Sequence, residues 1–598
     1  MIRMKKINYA MGILLSAAIL SGCTLKKMVQ LAADSDLQVD PNPLEAHGGT
    51  VPFDVSAVLP PKTLKPGKVY TLKTLYQYGD KEMEVGSVEF KADDFPNSST
   101  STSRRSESFE FPYSDELNPG KLFLQGVASD PRNGKSFSGA KLEVATGIIT
   151  TSKAVKDVYL SAFAEHGYND KEELIPTNVD FYFPQGRSTL SASLKTDGTS
   201  NRDKQNNLSA FIADKNVTRT VTITGTHSPE GSERINSNLS QDRAERIESY
   251  YRSQMRKYDY KGAADSIKFI LKPVVEDWTA LRNALRDYTG ISSSEKSAMM
   301  RIIDGTGTFE DKEKKLRDND AYDKVFKEIY PTLRTAKTEI LTVKPKKSNA
   351  EIAVLAKGVA DGNVNADTLS SEEMLFAGTL TPSALEKAAI YKAATQKDGS
   401  WVAHNNLAAA YLLRSMRGNG DVNQQIEDAL TQLEIAANKN AAAEVHANFA
   451  SAYTMQGEYG KAYEHATKAL EKSPSQALRS DLNGLKGAIE IRMGNYDAAQ
   501  TSLASATTSD NATFDRGLAN LLNKDFSAAD TFFGDATSSK TIAADAYYYK
   551  AVTAARRNAP ADVTSNLVEA VKLDSSLKEK ALADLEFTKY ASQIQAAF

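Results

Sequence analysis

The period of the apolar positions changes along this chain, and each change predicts a different architecture. A basic start with Arg3, Lys5 and Lys6 runs into an apolar stretch from Met11 to Leu20. That stretch is too short to span a bilayer but suits the core of a secretory signal over 1–22. A short polar tether, 23–35, is expected next. From 36 to 150 the apolar residues alternate in short runs: Val51-Pro52-Phe53-Asp54-Val55, Val69-Tyr70-Thr71-Leu72, Val85-Gly86-Ser87-Val88-Glu89-Phe90, Ser108-Phe109-Glu110-Phe111 and Lys121-Leu122-Phe123-Leu124. Gly, Pro, Asn and Asp separate the runs, so the pattern predicts an all-β sandwich. The serine-rich stretch from Asn97 to Ser106 is expected to be an exposed loop.

Strand and helix periods alternate within 151–347. Asn178 to Phe183, Val221 to Gly225, Ile267 to Leu271 and Thr338 to Val343 read as strands; Leu208 to Ala213 and a stretch opening at Asn236 read as helices. A charged helical insertion, about 274–333, separates the last two strands and is expected to pack on one edge of the sheet. Beyond Lys344-Pro345-Lys346-Lys347-Ser348, helical spacing of Ala, Leu, Tyr and Glu runs through 348–598, predicting an all-α region. The fold class is therefore multidomain: an N-terminal β-sandwich, with an immunoglobulin-like arrangement expected, an α+β domain with a helical insertion, and a C-terminal all-α region.

Leu20-Ser21-Gly22-Cys23 follows the apolar stretch and holds the one cysteine among 598 residues. It resembles a bacterial lipobox, and the resemblance implies cleavage before Cys23 and acylation there, a membrane anchor that needs no transmembrane helix. Lys26 and Lys27 do not resemble an acidic surface-export tag, so the periplasmic face of the outer membrane is the expected address. A single cysteine allows no internal disulfide.

Asn236-Ser237-Asn238-Leu239-Ser240-Gln241-Asp242-Arg243-Ala244 resembles the Asn-x-x-Leu-Ser-x-x-Arg-Ala pattern of the OmpA-like peptidoglycan-associating domain. In that family an aspartate after the second strand and the arginine grip the diaminopimelate of the wall's stem peptide. A zwitterion needs an anion for its ammonium and a guanidinium fork for its carboxylate. The resemblance assigns the fork to Arg243 and the helix-start polar group to Asn236, with Leu239 packing beneath. The aspartate position falls on Ser228, in Thr226-His227-Ser228-Pro229-Glu230-Gly231, and Glu230 is the nearby acid. This Ser-Pro-Glu-Gly form is similar to OmpA-like proteins of the Bacteroides group. Read without the family, Arg243 is a helix-surface residue paired with Asp242 or Glu245, and Asn236 a turn or cap residue.

Ala447-Asn448-Phe449-Ala450-Ser451-Ala452-Tyr453, with Gly457-Glu458-Tyr459, Ala462, Ala469-Leu470 and Pro474, resembles the tetratricopeptide pattern. Related units contain Asn406 to Tyr411, Gly487 with Gly494 to Ala499, Gly517 with Asp525 to Ala529, and Tyr547 to Ala551. The resemblance implies a right-handed helical solenoid whose concave groove takes protein partners; a groove filled by the chain itself is the other reading.

Composition narrows the function classes. A net charge of −3, 41% hydrophobic and 25% charged residues and a mean hydropathy of −0.42 describe a globular chain without the basic footprint of a nucleic-acid binder. Six scattered histidines show no His-Glu-x-x-His pair, and no Gly-x-Ser-x-Gly elbow or phosphate loop is present. Arg317-Asp318-Asn319-Asp320 and Asp361 to Asp367 lack the glycine of a calcium loop. No enzyme, cofactor or metal is expected; a wall hydrolase would require a paired carboxylate site. The expectation is a non-enzymatic envelope scaffold tethering the outer membrane to peptidoglycan and binding protein partners. The alternative is a subunit of an outer-membrane assembly, secretion or fimbrial complex that has lost the wall.

Overall fold

The computed structural model describes residues 23–258, 266–274 and 278–598; the expected signal segment, and Val275 to Asp277 of the expected insertion, lie outside them. The chain divides into two compact units, 1–168 with 349–598, and 169–348.

In the first unit the alternation of 36–150 becomes two antiparallel sheets. One orders the strands Asp36–Asp40, Thr50–Leu59 and Ser103–Pro112; the other orders Lys81–Lys91, Val69–Tyr78, Gly120–Asp130 and Lys135–Thr146. Val51, Phe53, Val55, Ala57 and Leu59 occupy every second position of one strand and face Tyr70, Leu72 and Tyr76 of the other sheet's central strand in a single core. Two expectations change here. Ser103 to Ser106, read as loop, begin a strand, because their main chain pairs with Ser56 to Leu59. Residues 23–32 are helical, not a free tether: Leu25, Met28 and Ala32 lie on one helical face and are buried in the sandwich core.

Residues 349–598 form successive helices. From residue 401 they pair as Trp401–Met416 with Val422–Lys439, Ala443–Met455 with Tyr459–Glu471, Gln476–Arg492 with Tyr496–Ala504, Asp510–Leu522 with Phe526–Ala536, and Ala543–Arg556 with Pro560–Leu573. This is an all-helical repeat region, and its small residues have a steric cause. A Cβ on Gly487 would meet Leu503 Cγ at 2.5 Å, and one on Gly517 would meet Phe533 Cδ1 at 2.8 Å, so glycine lets each helix close on its partner. The sandwich is packed on this array: Gly48, with φ +58°, lies where a Cβ would strike the Arg492 carbonyl oxygen at 2.4 Å, His47 meets Tyr496 edge-on, and Glu45 pairs with Arg556.

The second unit is a four-stranded sheet in the order Leu174–Tyr182, Thr335–Val343, Thr218–Gly225, Lys268–Pro273, in which the last two pair parallel and the others antiparallel. The helices Asn201–Ala213 and Glu233–Lys257 pack on it through Leu208, Ile212, Ala244, Ile247, Tyr251 and Met255. The helical segments from Trp278 to Leu333 build a core of their own from Trp278, Leu281, Met299, Ile303, Phe309 and Val325. These short helices carry enough apolar residues to bury one another, while Phe309 meets His227 and Glu310 accepts the Glu233 N–H beside the sheet.

Gly225 ends its strand directly under the helix, where a Cβ would fall 1.9 Å from the Ser240 carbonyl oxygen and 3.3 Å from Ala244 Cβ. Gly225→Ala is expected to cost about 1–3 kcal/mol by overpacking. Hydrogen exchange in Thr218–Gly225 under mild denaturant should rise, and unchanged protection would contradict the packing argument.

Candidate functional site

The groove of the repeats is filled by the chain's own segment 155–168. Assigned by texture to the α+β domain, this segment instead belongs with the solenoid. It runs extended, from the fourth helix pair back towards the first, and the leading helix of a pair supplies its polar contacts. Asp515 Oδ1 accepts the Lys156 N–H at 2.8 Å, and Asn511 Nδ2 donates to the Asp157 carbonyl at 3.1 Å. Ser451 Oγ accepts the Leu160 N–H at 3.1 Å. Asn448 holds both main-chain groups of Ala162, accepting its N–H at 2.7 Å and donating to its carbonyl at 2.8 Å. Asn406 does the same at Ala164, at 2.7 and 3.0 Å. Asn405 links the two amides and adds a bond to the Ala162 carbonyl at 3.0 Å.

An asparagine amide carries one donor face and one acceptor, the complement of one extended residue's N–H and C=O, so it reads backbone without regard to side chain. Val155, Leu160, Ala162 and Ala164 are buried against the helices. Ion pairs fasten one end, Arg492 with Asp157 at 2.6 Å and Lys156 with Asp545. Aromatic contacts fasten the other, Phe163 on Tyr391 and Tyr168 stacked on Phe376. Asp515 is fully buried, and burial holds its carboxyl well above the usual carboxylate range despite the Lys156 N–H. A self-filled groove is one of the two readings the repeats allowed; that the segment 155–168 fills it was not anticipated. Its signal was the recurrence of Asn406 and Asn448 at matching places of two helices, together with the alternate apolar residues Leu160, Ala162 and Ala164.

The residues singled out by the OmpA-like resemblance do come together in the second unit, but in a closed arrangement. Arg243 is 1% exposed. Its guanidinium donates to the backbone carbonyls of Thr226, Arg187 and Pro184 at 2.7, 3.1 and 3.4 Å, and lies over the Phe183 ring. It is no surface residue. Burial and the nearby Arg334 pull it down to about 10 against the opposing pull of Glu230, so it remains a cation at neutral pH. Ser228 and Glu230 are joined by a residue the sequence analysis did not single out: Arg334 Nε donates to Ser228 Oγ at 2.8 Å and to Glu230 Oε1 at 3.0 Å, with Nη2 2.8 Å from the same oxygen. Glu230 Oε2 is closed to solvent without a donor. Asn236 is buried and donates to the Glu230 carbonyl at 3.1 Å; the cap position belongs to Ser232. Leu239 does not pack beneath the site. It is half-buried and outside the core, which Ala244 and Ile247 supply one and two turns later.

Cys23 is free and exposed. Among the described residues no helix is long and apolar enough to cross a membrane, and no group of three or more His, Cys, Asp or Glu is placed to hold a metal.

No family model matches the chain, and no curated protein matches it. Among solved structures, YrrB, a tetratricopeptide protein with an unusual peptide-binding site, is 20% identical over 31% of this chain and 94% of its own, with a TM-score of 0.28. Pseudomonas aeruginosa PilF is 14% identical over 41% of this chain and 100% of its own, TM-score 0.29. A tetratricopeptide repeat protein from Parabacteroides merdae is 18% identical over 38% and 96%, TM-score 0.27. At such scores the likeness carries no weight; the repeat assignment rests on the helix pairs themselves.

Asn448→Leu keeps the volume but strips Ala162 of its main N–H acceptor, at a cost of about 1–3 kcal/mol. Limited proteolysis within 155–168 should accelerate, and an unaltered digestion pattern would mean that the amide is not what holds the strap. Asp515 gives a pH signature. Its raised folded-state value favours the protonated form, so its stabilising contribution is full in acid and is lost as pH rises through the folded value. Asp515→Asn, which keeps an acceptor for Lys156, should flatten that decline in a pH series of thermal melts; an unchanged slope would contradict the assignment.

Proposed function

We propose that this protein is a non-enzymatic scaffold lipoprotein of the bacterial cell envelope. It is anchored through Cys23 at the periplasmic face of the outer membrane, and its OmpA-like domain serves a protein assembly rather than the wall. The strand order of the second unit, with the Asn-x-x-Leu-Ser-x-x-Arg-Ala helix closing on Gly225 through Ser240 and Ala244, supports the OmpA-like reading. The observation that carries the loss of wall binding is the closure of the site: Arg243 spends its fork on backbone carbonyls, and the acid nearest the ammonium position is neutralised by Arg334. A diaminopimelate group would have to break those bonds and leave buried charges unpaired, which costs several kcal/mol. Leu25, two residues after the anchor cysteine, is already in the sandwich core. A lipid on Cys23 would therefore hold the sandwich close to the bilayer with little slack. The repeats present the protein-binding surface of such a scaffold.

Two measurements test this. Mature protein mixed with purified sacculi should remain in the supernatant, for wild type and Arg243→Ala alike; co-sedimentation abolished by the substitution would restore the wall tether. Cys23→Ala should move the full-length protein from the membrane to the soluble fraction, and retention in the membrane would sink the lipid anchor.

A further inference from the structure

The strap uses only one of its two backbone edges between residues 159 and 165. Leu160, Ala162 and Ala164 bond to the helices. In an extended chain successive residues turn their N–H and C=O to opposite sides, so those of Tyr159, Ser161, Phe163 and Glu165 face away from that contact. Tyr159, Ser161, Phe163 and Glu165, with Leu160 and Ala162, line a cleft of about 510 Å³ between the strap and the helices Gln476–Arg492 and Asp510–Leu522. Glu165, Glu444 and Asp481 line this cleft, and among the described residues no lysine or arginine does; Val158, Leu478 and Ala512 give it an apolar floor.

An unpaired main-chain edge beside an acidic, partly apolar wall has a definite complement. We propose that the strap is a built-in template for strand addition, and that the cleft takes an extended, cationic peptide segment of a partner protein. The segment pairs through its main chain with the 159–165 edge and directs alternate lysine or arginine side chains to Glu165, Glu444 and Asp481. The strap thus converts a filled groove into a second binding edge. This deepens the protein-scaffold reading by naming the partner's chemistry, and it can fail while that reading stands.

The test uses the mature full chain and a fluorescein-labelled peptide of alternating lysine and valine, long enough to span Val158 to Glu165. Anisotropy should report saturable binding that weakens with added salt. N-methylation of every lysine or of every valine should abolish binding in one case and spare it in the other, because only one set of amides faces the strap. Ser161→Pro removes a free-edge N–H, and Glu444→Lys with Asp481→Lys reverses the wall; each should weaken binding by about tenfold or more. Hydrogen exchange across 155–168 should slow when the peptide binds. Binding indifferent to N-methylation and to charge reversal, absence of binding, or faster exchange in the strap, which would mean displacement, each overturns the proposal. Capture of envelope proteins by a chain that fails these tests would leave the scaffold reading intact.

Discussion

A polypeptide backbone cannot lie inside a protein groove unless its N–H and C=O groups are bonded, and the first unit depends on how that demand is met. Asn406 and Asn448, one on each of two successive leading helices, offer the donor and acceptor that an extended residue requires. Ser451, Asn511 and Asp515 continue the row. The strap follows the sandwich directly in sequence, so these bonds tie the sandwich to the helical array along the groove, while Gly48 and Glu45 tie it again near the Arg492 and Arg556 turns. Residues far apart in the chain become one compact unit.

The second unit, 169–348, interrupts that unit in sequence between the end of the strap and the first helix of the array. Its arginine cluster shows how buried guanidiniums are accommodated. With serine at 228 the local acid is Glu230, and Arg334, at the mouth of the last strand, takes both. Two buried guanidiniums then sit with one partly buried carboxylate. Arg243 is tolerated there because backbone carbonyl dipoles solvate it in place of a counter-ion. The result is a structural knot linking the loop after the second strand, the long helix and the entry to the last strand.

How far the structure could be read from the residues follows from the range of the interactions. Alternation in Thr50–Leu59 and glycines at 487 and 517 are local signals that announce elements and their apposed faces. The strap gave no comparable signal. Its residues are short, mixed and without regular structure, and its partners lie roughly 240 to 360 positions away in the sequence. Likewise Leu25 and Met28 sit in a stretch too short to separate a packed helix from a polar tether until the sandwich core is there to receive them.

Sequence alone therefore determined the kinds of layer: an alternating β-region, a mixed α+β region, and paired helices with their steric glycines, along with a cysteine at a lipobox-like site. Periodicity encodes these because each depends on residues a few positions apart. Tertiary structure alone decided that the groove is occupied, that one edge of its occupant is left open, and that Arg243 faces carbonyls rather than solvent. Those outcomes rest on hydrogen bonds and charges brought together from distant parts of the chain, and no local pattern records which distant group will meet a donor.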